Sequence, residues 1–145
     1  MLGLIRPDSW DLPLFLHVLG ATLIFGTAST LAIAGFAGRR SAAHEQLLAR
    51  VVLRTFLFGV LPAWILMRFT AEGIAGKECP DGVDTPGWVA VGTIVSEGSG
   101  VLLLVAGILA WLSVRRGRMM IAVPILATIC VLGYAVAWVA MSGKP

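Results

Sequence analysis

Four long apolar runs decide what this chain can become. A helix rising about 1.5 Å per residue needs about 20 apolar residues to cross a hydrocarbon layer of about 30 Å. Runs of that length lie at residues 12–36, 51–71, 88–114 and 119–141. Helices are the expected form, because backbone polar groups in lipid must be satisfied within the segment, and a barrel would need short alternating strands instead. The expected fold is all-α: an integral membrane four-helix bundle forming one domain over residues 1–145, with its one substantial loop at 72–87. Composition agrees, since 58% of the residues are hydrophobic and only 13% charged, where a soluble domain is about half apolar and a quarter charged.

The ends of the runs carry their own signals. Asp11 is placed to cap the first helix, and Pro13 falls in its opening turn, where a missing N–H costs nothing. Gly59 and Pro62 weaken the ladder of the second and should kink it. The loop contains two turn-forming stretches, Cys79-Pro80-Asp81-Gly82 and Pro86-Gly87. The first run is too long for the apolar core of a cleaved signal peptide, and Asp8 and Asp11 precede it, so cleavage near Ala32-Ile33-Ala34 is not expected. Superposing Arg39-Arg40 on Arg115-Arg116 sets His17 against Thr93 and Gly20 against Ser96, so no internal repeat is read.

Charge supplies a direction. Arg39, Arg40, Arg50, Arg115, Arg116 and Arg118 sit in the links after runs one and three, with Glu45 as the only acid there. Asp8, Asp11, Glu72, Glu78, Asp81, Asp84 and Glu97 belong to the other side. The positive-inside rule puts the arginine links in the cytoplasm and both termini and the long loop outside. Trp10, Trp64, Trp88 and Trp138 then form an outer aromatic belt, with Trp111 at the inner edge. The net charge of +3 is topological on this reading, and no nucleic-acid partner is expected.

An ionisable group at the centre of the hydrocarbon costs about 2.5 kcal/mol or more, so each one there needs a partner or a purpose. Glu97 lies about 13 Å below the outer edge, counting from Trp88 at about 1.5 Å per residue. With Thr93 and Gly100 nearby, its face is expected to point into protein, as a proton, cation or cofactor site, as a structural ion pair, or as a protonated acid bonded across helices. Arg68, one turn inside the outer end, could pair with Glu72 at i, i+4 or with Glu97 across helices. His17 shares a face with Gly20, Ala21, Ile24 and Ala28, the mark of a packed interface; it is read as a structural histidine, a metal or haem ligand, or a proton relay. A shared outer-leaflet site of His17, Arg68 and Glu97 is expected. Arg54 reads as a snorkelling anchor.

Other chemistry is sparse. His44 lies across the membrane from His17, and Met67 and Met141 read as apolar filler more readily than as metal ligands. Cys130 and Cys79 are too far apart in the fold to pair, leaving Cys79 free or joined to another protomer. No phosphate-binding glycine loop and no nucleophile elbow occurs. Gly92, Ser96 and Gly100 recur at every fourth residue, a small-residue ridge suited to close helix packing. Ala28 with Ala32 and Ala34 with Gly38 repeat the pattern in the first run. Leu103 is expected on a more lipid-exposed face than this ridge.

The opening Phe15-Leu16-His17-Val18-Leu19-Gly20-Ala21, with Gly26 beyond it, resembles the first helix of a broad set of small bacterial membrane proteins that share a Leu-His-x-Leu-x-Ala beginning. That set includes uncharacterised four-helix proteins and, more distantly, HemJ-type protoporphyrinogen oxidases and the membrane domain of CopD-type copper-resistance proteins. The resemblance implies a four-helix membrane fold. In the HemJ type it would make His17 the intramembrane histidine associated with haem. The proline-arginine end of that type's first helix is absent here, as is a second intramembrane histidine.

Three functions are thus in view. The first is a binding or accessory protein of the cytoplasmic membrane, multi-pass, without a cofactor, surrounded by lipid and assembling as a homodimer or with a partner membrane protein. The second is a redox enzyme carrying haem b on His17. The third is a small oligomeric proton-coupled transporter with Glu97 as the titrating group.

Overall fold

The computed structural model describes residues 11–78 and 86–142. Asp8, Trp10, Cys79, Asp81 and Asp84 lie outside these. Among the described residues all regular structure is helical: α1 (Asp11–Arg40), α2 (Glu45–Thr55), a π turn (Phe56–Val60), α3 (Leu61–Glu78), α4 (Gly87–Arg116) and α5 (Ala122–Ser142). The helix α2, the π turn and α3 run on as one second span, so four helices are long and apolar enough to cross a membrane.

The helices outrun the apolar stretches that announce them. The first continues to Arg40, ending on two arginines that suit its negative C-terminal end. The second starts at Glu45 and continues to Glu78, so the expected loop at 72–87 is shorter than its polar composition implied. Residues 72–78 contain no proline, and Gly73 and Gly76 weaken a helix without ending it. The fourth starts at Ala122 rather than 119, because Met119 to Ile121 belong to the turn that precedes it. That turn begins at Gly117, whose φ of 66° is the left-handed conformation that ends α4. Buried Ser113 accepts the Met120 N–H at 3.0 Å, and Glu45 accepts the Met119 N–H at 2.8 Å. The lone acid of the arginine-rich end is therefore a clasp on this turn.

The expected break in the second span takes the form of the π turn. Pro62 has no N–H for the Phe58 carbonyl and its ring would crowd it. The chain widens by one residue just before the proline, and the Leu61 N–H reaches the Phe56 carbonyl five residues back.

Around the bundle, α4 packs on α5, α5 on α1, and α1 on the second span. The fourth side closes differently: α2 packs on α4 at the arginine-rich end, while α3 and α4 approach each other much less. The interior is lined by small residues, Ala28, Ala49, Ala63, Ala106, Ala110 and Ala127, between larger fillers such as Ile24, Leu31, Val60 and Met119. In lipid such helices are held by close van der Waals packing rather than by exclusion of water.

Leu103 corrects the sequence reading. It is only 3% exposed and belongs to the core, while Val101 at 64% faces outward. Leu103→Ala is expected to cost about 2–5 kcal/mol by opening a cavity, more than the about 1–3 kcal/mol of overpacking expected for Gly100→Leu. Val101→Ala should be nearly neutral, and equilibrium unfolding in detergent ranks the three.

Candidate functional site

The most polar feature of the spans lies where α3 and α4 diverge. The Arg68 guanidinium sits between two carboxylates, with Nη1 at 2.8 Å from Glu72 Oε1 and Nη2 at 3.3 Å from Glu97 Oε1. The first contact is local, one turn along α3, and the second crosses to α4. Arg68 is 27% exposed, but the side chains of Glu72 and Glu97 are 59% and 61% exposed.

Glu97 thus faces the outside of the bundle and not its interior, contrary to the reading from sequence. The buried stripe of α4 passes through Ser96, Ser99, Gly100 and Leu103, and Glu97, about 100° around from Ser96, falls just off it. Thr93, Ile94, Gly98 and Val101 are exposed beside it. Gly98 has open space where a Cβ would stand. Two carboxylates against one guanidinium leave the cluster formally one negative charge in excess.

One turn closer to the arginine-rich end, Trp64 fills the gap between the two helices. Its Nε1 donates to the Ser96 carbonyl at 3.1 Å, and its ring covers Gly100 so closely that a Cβ there would lie 2.5 Å from it. Trp64 is therefore a bridge between helices and not a member of the aromatic belt. The ridge of Gly92, Ser96 and Gly100 is an interface, but with two neighbours: Gly100 meets Trp64, and Gly92 meets the methyl end of Met141 on α5.

A second polar group was not legible beforehand. Ser99 accepts from the Tyr134 hydroxyl at 2.5 Å while donating to the Ser96 carbonyl at 3.0 Å, and the Cys130 thiol lies 3.9 Å from the Ser99 carbonyl. Ser96 Oγ is buried without a hydrogen-bond partner among the described residues. Tyr134 is the only tyrosine in the chain, and its place in the middle of an apolar run was the available signal.

His17 reaches the same stretch of the second span from the other side. Its Nδ1 lies 3.2 Å from the carbonyl of Met67, the residue before Arg68. Gly20, one turn on, brings the two backbones together. The structure so joins Arg68 to Glu97 side chain to side chain, and sets His17 behind them at the α1–α3 seam. Met67 is buried core and Cys130 is buried. His44 contacts Ser41 at the arginine-rich end. No cluster of three or more metal-ligating side chains occurs among the described residues. Compared with protein-family models, curated proteins and solved structures, the chain matches none.

Proposed function

We propose that the chain is a non-catalytic binding or accessory subunit of the cytoplasmic membrane that assembles with another transmembrane helix along the outer face of α4. The observation that carries this reading is Glu97 standing exposed beside Gly98, in the half of the bundle away from the arginine links. Polar and small side chains in membrane helices mark surfaces where helices meet, because a polar group facing lipid is costly and a small one permits close approach. The excess negative charge selects a partner that presents a lysine or arginine at that depth. A second copy would bring two like-charged clusters together and is the weaker candidate. The arginine links support an orientation with both termini outside.

A photo-crosslinking residue in place of Val101, in native membranes, tests the reading. It should give a protein adduct that is lost on Glu97→Leu, whereas the same probe at Leu132, exposed on α5, should give only lipid adducts. Lipid adducts alone at both positions would reject a partner helix. Since this reading uses no cofactor, purified protein should show no Soret band; a band abolished by His17→Ala would replace it with the haem-binding alternative.

A further inference from the structure

Below the Trp64 bridge, the seam between the second span and α4 opens into an apolar groove of about 260 Å³ on the surface of the bundle. Leu53, Phe56 and Leu57 form one wall, Leu104 and Trp111 the other, and Gly107 the floor. The floor is a glycine because the Phe56 ring occupies the place of its Cβ. Its lining runs along both helices, from Leu53 to Leu57 and from Leu104 to Trp111.

Its arginine-rich mouth is charged. The Arg115 guanidinium is held 4.6 Å above the Trp111 ring centroid, a cation–π contact that fixes it next to the wall of the groove. Arg54 follows Leu53 directly and is exposed. Leu53 and Trp111 are the lining residues nearest the arginine-rich end on their two helices. Arg115 is one turn, about 6 Å, nearer the membrane surface, a distance that a snorkelling Arg54 side chain spans. Neither arginine has an ion-pair partner among the described residues. No acid occurs between Glu45 and Glu72 or after Glu97, and Glu45 is occupied by the Met119 N–H.

We infer that this groove is a binding site for an anionic glycerophospholipid of the leaflet at the arginine-rich end. One acyl chain lies between Leu57 and Leu104, and the phosphodiester headgroup is bridged by Arg54 and Arg115. Charge complementarity selects the occupant: a zwitterionic lipid would fill the groove equally well but would set its own cation against two guanidinium groups. The inference does not depend on the partner helix proposed above, which engages the opposite half of α4.

The test is native mass spectrometry of the full chain in detergent, titrated with phosphatidylglycerol or with phosphatidylcholine of the same acyl chains. One phosphatidylglycerol should be retained, with affinity falling about fivefold for each of Arg54→Gln and Arg115→Gln. Ile108→Trp should also abolish retention. That residue lines the groove but is exposed to lipid, so the change fills the site without entering the core. Arg40→Gln, outside the groove, should leave binding unchanged. Equal retention of the two lipids would reject headgroup recognition. Undiminished phosphatidylglycerol binding by Ile108→Trp, with unaltered unfolding, would show diffuse attraction to surface charge and overturn the site.

Discussion

Gly20→Leu is expected to be among the most disruptive single substitutions in the bundle. A Cβ at this position would lie 2.9 Å from the Met67 nitrogen and 3.1 Å from its Cα. Those are backbone atoms of a neighbouring helix, which cannot rotate away as a side-chain end can. The helices α1 and α3 must separate, and separation also withdraws His17 from the Met67 carbonyl, 3.2 Å away. Overpacking of this kind costs about 1–3 kcal/mol where side chains can adjust, and backbone contact places Gly20→Leu at the upper end of that range. Gly26→Leu, on the same helix with nothing within 4 Å of its Cβ position, should leave stability nearly unchanged. Unfolding of both variants in mixed micelles gives the comparison, and equal losses would mean that α1 and α3 are not in close contact at Gly20.

The second large effect concerns the charges between α3 and α4, and it is asymmetric. Removing Glu97 leaves Arg68 paired with Glu72 at 2.8 Å. Removing Arg68 leaves two carboxylates without their shared cation, one of them well inside the hydrocarbon. Arg68→Leu is therefore expected to destabilise by up to about 2.5 kcal/mol, and Glu97→Leu by distinctly less. The double change Arg68→Leu with Glu97→Leu should recover much of the loss, because Glu72 lies nearer the membrane edge and can turn to water. Unfolding in lipid nanodiscs measures all three, and a double variant no better than Arg68→Leu would show that the ion pair carries no coupling.

The order of these effects follows from what was and was not readable in the residues. Span number and approximate position are properties of length and polarity alone, so Leu12 to Phe36 and its three counterparts could be marked without knowing their neighbours. The Arg68–Glu97 contact was also accessible, since depth along two antiparallel helices is counted from their ends. Rotation about each helix axis was not. A soluble helix shows its inner face by being apolar there and polar elsewhere, but in lipid both faces are apolar. Leu103 and Val101 are alike in polarity, yet one is core and the other faces out. Glu97 was assigned inward from its small neighbours for the same reason, and one step around the helix was enough to place it outside. Ser99 and Tyr134 escaped notice because their hydrogen bond depends on that rotation in two helices at once.

The π turn in the second span has a consequence for how this protein tolerates change. It stores one residue more than a regular helix of the same rise would use, and each residue of an α-helix advances the side chains by about 100°. The surplus is absorbed within the turn, so the far half of this span keeps the direction it would have in a regular helix one residue shorter. Deletion of a single residue between Phe56 and Val60 would convert the turn to α-helix and leave Trp64 and Arg68 facing α4, at the cost of setting the Pro62 ring against the preceding turn. A deletion between Pro62 and Arg68 has no surplus to remove and would swing Arg68 around by about 100°. The second span can thus lose a residue at the turn, and not beyond it, while keeping Arg68 in register with Glu97.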